Sequence, residues 1–182
     1  MSKLIYLFAV VYIVFSFVGC DQDIDFPYEG KDRIQFKHFS TVNNKRLYAD
    51  SVVFSFGLLN DTVRVDTAKI VMQYLGKGSE TERTYNVMIV LDSTTAKEGI
   101  HYAAFPQEQK FRPGKLTDTL RVVVYRDSLN KSFANPTNEC LYLRLQESED
   151  FDLGLRGGIS MRLLLNDYLS QPSWWNSHGG LG

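Results

Sequence analysis

Seven short segments of the chain alternate apolar and polar residues, and this pattern limits the fold more than any other feature. They cover residues 34–36, 52–56, 70–74, 85–91, 120–125, 141–145 and 159–165. A period of two with β-branched and aromatic enrichment is typical of half-buried strands. Clusters of Gly, Pro, Asn and Asp separate the segments, and none before residue 165 has the apolar stripe and the end signals of a helix. We therefore predict an all-β fold, a single antiparallel β-sandwich of the Ig-like, Greek-key type.

The charge balance excludes some classes of partner. Of the 182 residues, 44% are hydrophobic and 23% are charged, which is typical of a globular chain and not of a disordered one. The chain has 20 Lys and Arg against 21 Asp and Glu, a formal net charge of −1. Because no basic surplus is available to hold a phosphate backbone, we expect no nucleic-acid partner.

The N-terminus has the pattern of a bacterial lipoprotein signal peptide. Lys3 precedes residues 4–18, an uncharged and mostly apolar run that is short for a membrane span and fits a signal-peptide core. Residues 17–20, Phe-Val-Gly-Cys, resemble a lipobox, with Phe17 where Leu is usual. The resemblance implies that Cys20 carries diacylglycerol and palmitate, and so anchors the chain to a membrane. The alternative is an uncleaved single anchor helix.

The residues after Cys20 bear on localisation. Asp21, Asp23 and Asp25 give an acidic start that resembles the surface-export signal of Bacteroidetes lipoproteins. We therefore expect a lipid-anchored protein of the outer membrane, displayed on the cell surface, with the periplasmic face as the alternative. The other interpretation of these residues is a solvated tether.

The second half of the chain resembles a Calx-beta sandwich. The resemblance rests on residues 95–102 (Thr-Ala-Lys-Glu-Gly-Ile-His-Tyr), on Phe-Arg-Pro-Gly-Lys at 111–115, and on the strands at 120–127 and 139–145. Some members bind calcium through acidic loops, which makes Asp127 and Glu139 weak calcium candidates. His101 stands where the family usually has Asp. We therefore expect no metal and no cofactor.

The whole mature chain is similar to a group of Bacteroidetes lipoproteins whose domain is of unknown function. The shared features are the lipobox, Ser55-Phe56, a hairpin over 76–83, residues 99–102 and Pro-Ser-Trp-Trp at 172–175. The resemblance implies an accessory role beside SusC/SusD-like outer-membrane proteins, which are the expected partners. It carries over no catalytic residues.

These patterns divide the chain into four parts. We expect a signal peptide at 1–19, a lipidated tether at 20–32, the β-sandwich domain at 33–166 and a short irregular or helical tail at 167–182. In the similar lipoproteins a further helical stretch follows the two tryptophans, and the sequence leaves open whether the tail is truncated. Within it, Trp174 and Trp175 are candidates for glycan binding, because flat aromatic rings stack on sugars. The alternative is that both rings pack against the sandwich.

Motifs of enzyme active sites are missing from the sequence. We find no His-Glu-x-x-His, Cys-x-x-Cys, Gly-x-Ser-x-Gly or phosphate-binding Gly-x-x-x-x-Gly-Lys. With Cys20 committed to lipid, Cys140 has no partner for an intrachain disulfide, and it shares a strand face with Tyr142 and Arg144. We therefore expect no catalytic residues and no enzyme activity.

A repeated tripeptide suggests modification. Asp is followed by Ser or Thr and then by an aliphatic residue or Thr at six places, which resembles the O-glycosylation signal of exported Bacteroidetes proteins. The candidate sites are Ser51, Thr62, Thr67, Ser93, Thr119 and Ser128. The equally weighted alternative is ordinary turn chemistry before a strand.

Two function classes remain open at this point. The first is a non-catalytic surface lipoprotein that serves as an accessory or binding component of an outer-membrane uptake system for a glycan or a peptide. The second is a structural or adhesive module that binds other surface proteins. Alternation shows which face of a strand is exposed but not which face is used, so the sequence does not choose between them.

Overall fold

The computed structural model describes residues 30–42 and 45–168, without the side chains of residues 40–47. This part of the chain contains eleven β-strands and two single 3-10 turns but no α-helix. In the same part, no helix is long and apolar enough to cross a membrane. The signal peptide, the tether up to residue 29, and most of the C-terminal tail lie outside the described residues.

Nine strands form two sheets. The smaller sheet has the order β10-β1-β5-β8, with β1 at Arg33–Phe36, β5 at Val65–Leu75, β8 at Thr117–Tyr125 and β10 at Asp152–Leu153. The larger has the order β4-β11-β9-β6-β7, with β4 at Ser51–Ser55, β6 at Arg83–Ile89, β7 at Glu108–Phe111, β9 at Glu139–Gln146 and β11 at Ser160–Asn166. A separate hairpin joins β2, Phe39–Val42, to β3, Lys45–Tyr48.

The two sheets share one core, which confirms the predicted sandwich. In β9 the leucines at 141, 143 and 145 are buried while the residues between them face outward, as the alternation predicts. The ring of Tyr74 in the smaller sheet lies 5.5 Å from the ring of Phe111 in the larger sheet, in an edge-to-face contact. Burial of these side chains stabilises each sheet only when the other covers it.

Pairing is mostly antiparallel, with one parallel pair at an edge of each sheet. β10 runs parallel to β1, and β4 runs parallel to β11. The sequence analysis did not anticipate these two pairs, since alternation within a strand carries no information about its neighbour. It also missed the β2–β3 hairpin, β7 and β10, which are short or polar in sequence.

The segment that resembles Calx-beta closes against the smaller sheet. Gly99 adopts φ +74°, a left-handed conformation that favours glycine, and Tyr102 is buried with isolated bridges to Glu98 and Val124. His101 is also buried, and its Nδ1 accepts a hydrogen bond from the backbone N–H of Lys97 at 2.9 Å. Its imidazole is therefore tied into the local turn.

Candidate functional site

One end of the sandwich gathers loops from both sheets. The connections after β4, β8 and β11 meet there, and we call it the Arg126 end. Backbone hydrogen bonds join them: the N–H of Arg126 donates to the carbonyl of Arg64 at 2.9 Å, and the N–H of Asp167 donates to the carbonyl of Asn130 at 2.9 Å. Residues that are far apart in sequence are thus fixed in one place.

Arg126 occupies the centre of this end and is only 4% exposed. Its Nε donates to Asp167 Oδ2 at 2.8 Å and its Nη2 donates to Asp61 Oδ1 at 3.0 Å. Its Nη1 donates to the carbonyls of Asn60 at 2.7 Å and Val63 at 3.2 Å. The hydrogen bond to Asp167 raises the pKa of Arg126 above its ordinary value, so the guanidinium is a permanent cation.

An aromatic ring also contacts the same guanidinium. The Arg126 Cζ atom lies 5.6 Å from the centre of the Phe56 ring, within the range of a cation–π interaction. Phe56 is fully buried and belongs to the core. The guanidinium is therefore positioned by both hydrogen bonds and packing.

Asp167 has one oxygen without a partner. Its side chain is 0% exposed, and Oδ2 accepts the bond from Arg126 and lies 3.8 Å from Lys131 Nζ. Its Oδ1 is buried and forms no hydrogen bond within the part of the chain described here. Because a buried acceptor without a partner is costly, water, a bound molecule or the part of the chain beyond residue 168 would have to complete this site.

Asp167 borders an open cavity of about 430 Å³. Arg126, Lys131 and Asp61 supply charged groups to its wall, and Phe133 and Tyr168 supply aromatic rings. Phe133 is 64% exposed, so its ring is accessible from the cavity. The cavity therefore combines a carboxylate acceptor, cationic donors and aromatic surface, which suits it to binding a small polar molecule.

The calcium candidates reach this end of the sandwich but are not joined in a site. The Asp127 carboxylate is 75% exposed and pairs with Arg64 Nη1 at 3.1 Å, while Glu139 is the half-buried first residue of β9. Among the described residues, no three His, Cys, Asp or Glu side chains are grouped so that they could hold a metal ion. The positive charge at the centre of this end comes from Arg126.

The candidate O-glycosylation residues are spread over several loops and strands. Thr62, Ser93 and Ser128 are exposed, whereas Ser51, Thr67 and Thr119 are half-buried. At two of the six places the Asp carboxylate accepts the backbone N–H of the following Thr: Asp66 with Thr67 and Asp118 with Thr119, both at 2.7 Å. Both contacts lie within strands, β5 and β8, and not in turns. Modification and its alternative therefore both stay predictions.

Other predicted residues lie elsewhere. Cys20, Trp174 and Trp175 fall outside the described residues. Cys140 is a free, half-buried thiol on the outward face of β9, and burial raises its pKa. A raised pKa disfavours the thiolate, so this cysteine lacks the activation of a nucleophile.

The sequence analysis missed Arg126, Asp61 and Asp167 as a group. Each follows a strand end or sits in a turn, and such positions usually carry solvated charges. A charged residue directly after each of two long apolar strands, Arg126 after β8 and Asp167 one residue beyond β11, was the available signal. β8 and β11 belong to different sheets, so only the packing of the two sheets brings the two positions together.

Comparison with known proteins places the chain in a family. Residues 28–182 match the sequence profile described as "Domain of unknown function (DUF4843)". No curated protein matches the chain.

Among solved structures, the apo form of the Calx CBD1 domain is similar at 16% identity, with a TM-score of 0.48, over 76% of this chain and 98% of that one. A "putative carbohydrate binding protein" from Bacteroides ovatus is similar at 18% identity and a TM-score of 0.43, over 75% of this chain and 37% of that one. A two-domain protein with unknown function from Bacteroides fragilis has 15% identity and a TM-score of 0.37, over 76% and 46%. This chain thus spans less than half the length of the two Bacteroides proteins. At these identities a likeness concerns the fold and carries no function.

Proposed function

The chain belongs to the DUF4843 family, and from that premise we propose that it is a non-catalytic binding module whose ligand is a glycan, held at the Arg126 end. The observation that carries the proposal is the open cavity at this end, where the exposed Asp61 carboxylate, Lys131 and the exposed ring of Phe133 line one wall.

Hydroxyl groups suit the polar side of the cavity. A carboxylate only accepts hydrogen bonds, so the exposed Asp61 carboxylate in the cavity wall can accept from sugar hydroxyls, which are neutral donors. The same hydroxyls accept from Lys131, whose Nζ lies 3.8 Å from Asp167 Oδ2. A ligand that is both donor and acceptor at neighbouring atoms therefore matches this pair of side chains better than a simple cation or anion does.

The aromatic side of the cavity supports the same ligand class. Phe133 is exposed at the cavity mouth together with Tyr168. A flat aromatic ring can stack on the apolar C–H face of a sugar and bury it from water.

The cellular setting belongs to the proposal as well. Cys20 would anchor the chain by lipid, and the acidic residues after it would direct display on the cell surface. There the module would serve as an accessory to SusC/SusD-like uptake proteins. The competing function is a structural or adhesive module that binds surface proteins and no glycan.

The ligand assignment can be tested on the full chain in detergent with panels of oligosaccharides and peptides, followed by calorimetry on the best ligand. We expect Phe133→Ala to weaken glycan binding by about three- to tenfold, the contribution of one aromatic contact. Leu116→Ala is the matched control, since Leu116 is 56% exposed and precedes β8 at the opposite end of the sandwich. Its affinity should equal that of the wild type.

Two results would count against the glycan. If peptides bind and oligosaccharides do not, the ligand class is wrong. If a glycan binds but Phe133→Ala and Leu116→Ala behave alike, the site is elsewhere. Asp61→Asn gives a second test: the amide keeps the shape but can present a donor where the ligand must donate, so this variant should also weaken glycan binding.

The anchor has its own experiment. Intact-mass measurement of protein from a lipoprotein-processing bacterium should show cleavage before Cys20 and the mass of an acylated cysteine. Cys20→Ser should abolish both, and Cys140→Ser should change neither. A wild-type mass without lipid would overturn the anchor while leaving the glycan proposal standing.

A further inference from the structure

The outer face of the larger sheet carries a second cavity, which the proposed function does not use. It measures about 310 Å³ and lies over β9 and β11 and the turn before β11. We call it the arginine groove, because three of its wall residues are Arg144, Arg156 and Arg162. Tyr142 and Asp50 also line the groove.

Strand register explains why these charges meet. Ser160 lies opposite Arg144 and Arg162 lies opposite Tyr142 in the antiparallel pair of β9 and β11. Arg144 and Arg162 are therefore diagonal neighbours on one face, at a separation of about 7–8 Å that long side chains can bridge. Arg156 comes from the 3-10 turn that leads into β11.

The groove has an excess of positive charge. Arg162 Nη1 pairs with Asp50 Oδ2 at 3.2 Å, and its Cζ lies 6.0 Å from the centre of the Tyr142 ring. No carboxylate among the described residues pairs with Arg144 or Arg156, and both are exposed. Three cations and one anion line the groove, so its net formal charge is about +2 on a chain whose total is −1.

We propose that the arginine groove is an oxyanion-binding site that takes a sulfate, phosphate or carboxylate group presented by a soluble molecule. Guanidinium groups match such oxygens with two parallel hydrogen bonds, and an anion between Arg144 and Arg156 relieves their repulsion. The tyrosine ring, with Arg162 over it, holds one cation in place. A concave groove of this size suits one discrete anionic group and not a flat bilayer surface.

The inference is independent of the proposed function. The arginine groove lies on the outer face of the larger sheet, whereas the cavity proposed to bind the glycan lies among the loops of the Arg126 end. Neutral sugars have no charge for the groove to recognise, so charged and uncharged probes separate the two sites.

Calorimetry on the full chain in detergent provides the test, with glucuronate, glucose 6-sulfate and inorganic phosphate as probes and glucose as the uncharged comparison. We expect the charged probes to bind at the groove and their affinity to fall as sodium chloride is raised. Arg144→Gln and Arg156→Gln should each weaken that binding by about tenfold or more, the usual effect of losing a charged hydrogen bond. Both side chains are exposed, so the variants should fold.

Arg121→Gln is the matched control, because Arg121 is an exposed arginine on the outer face of β8 in the other sheet. It should bind the probes as the wild type does. The proposal is overturned if no charged probe binds more tightly than glucose, or if Arg121→Gln weakens binding as much as Arg144→Gln. The proposal is also overturned if both Arg144→Gln and Arg156→Gln bind the charged probes as tightly as the wild type does.

Discussion

Charged residues at the Arg126 end differ in burial although they bind one another. Arg126 donates to a carboxylate with 0% exposure, Asp167, and to one with 98% exposure, Asp61. Water can replace a lost partner at an exposed position but not inside the protein, so the two hydrogen bonds should differ in their contribution to stability. The contributions of a buried and an exposed carboxylate can thus be compared on the same guanidinium.

We expect Asp167→Asn to lower the melting temperature by roughly 5–10 °C, because it leaves a buried cation without its anion. Asp61→Asn should lower it by about 2 °C at most, since that carboxylate is solvated. Differential scanning calorimetry of both variants is the measurement. Equal shifts in melting temperature for the two variants would show that burial does not decide how much each carboxylate stabilises the protein.

Asp118 predicts a pH dependence at the other end of the sandwich. Burial alone would raise the pKa of Asp118, but hydrogen bonds from Arg112 and Thr119, with the Arg112 charge, outweigh it, so the pKa lies below its ordinary value. A carboxyl with a lowered folded pKa stabilises the protein above its unfolded pKa of about 3.9, and this contribution is lost as pH falls through the folded value.

Asp118→Asn should therefore be less stable than the wild type at pH 7, and the difference should narrow below about pH 4. Urea midpoints at several pH values measure this. Asp127→Asn is the control, because the Asp127 side chain is 75% exposed, and its midpoint should stay close to that of the wild type. If the difference in stability between Asp118→Asn and the wild type is the same at low pH as at pH 7, the lowered pKa of Asp118 is contradicted.

At the scale of elements, the connection between β10 and β11 covers the outer side of β1. Gln35 is 1% exposed although it points away from the core, because Gly154 and Gly158 lie against its side chain. A Cβ atom added at Gly158 would lie 2.7 Å from His38 Nδ1 and 3.0 Å from Gln35 Cβ, whereas one at Gly157 would meet His38 Cδ2 at 3.5 Å. Two adjacent glycines thus differ in the space beside them.

Gly158→Ala should destabilise the protein by about 1–3 kcal/mol, since its neighbours must shift to admit a methyl group. Gly157→Ala should be neutral or slightly stabilising, because the contact is an ordinary one and alanine restricts the unfolded chain. Urea unfolding of the pair measures the difference. If both variants lose stability equally, close packing of this connection on β1 is not the cause.

At the scale of the whole molecule, one core serves both sheets. Buried residues of β1, β5 and β8 pack with those of β6, β7, β9 and β11 in a single cluster, and the half-buried Val52 and Phe54 of β4 pack against it. Loss of either sheet exposes the apolar face of the other. The described domain should therefore unfold as one cooperative unit.

Leu143→Ala tests this cooperativity, because Leu143 is 0% exposed at the middle of β9. We expect a loss of about 2–5 kcal/mol, with coincident transitions in far-UV and near-UV circular dichroism. Leu116→Ala, an exposed leucine, should have little effect. Separate transitions for the two probes would mean that the sheets unfold independently.

The sequence by itself determined the fold class, because alternation fixes which side chains can be buried on a strand. Residues 141–145 show this most directly: their leucines face the core as predicted, and Cys140, Tyr142 and Arg144 face outward. Gly99 and Gly114, in the two motifs that carry the Calx-beta resemblance, both have the left-handed backbone that favours glycine.

Only the tertiary structure decided the sites and the edges of the sheets. The pairing of Arg126 with Asp167 depends on the packing of the two sheets, and the approach of Arg144 to Arg162 depends on the register of β9 and β11. The parallel pairs of β1 with β10 and of β4 with β11 depend on strand register as well. Local sequence patterns specify a strand and its buried face through near neighbours, whereas register and loop convergence arise from contacts between residues far apart in the chain.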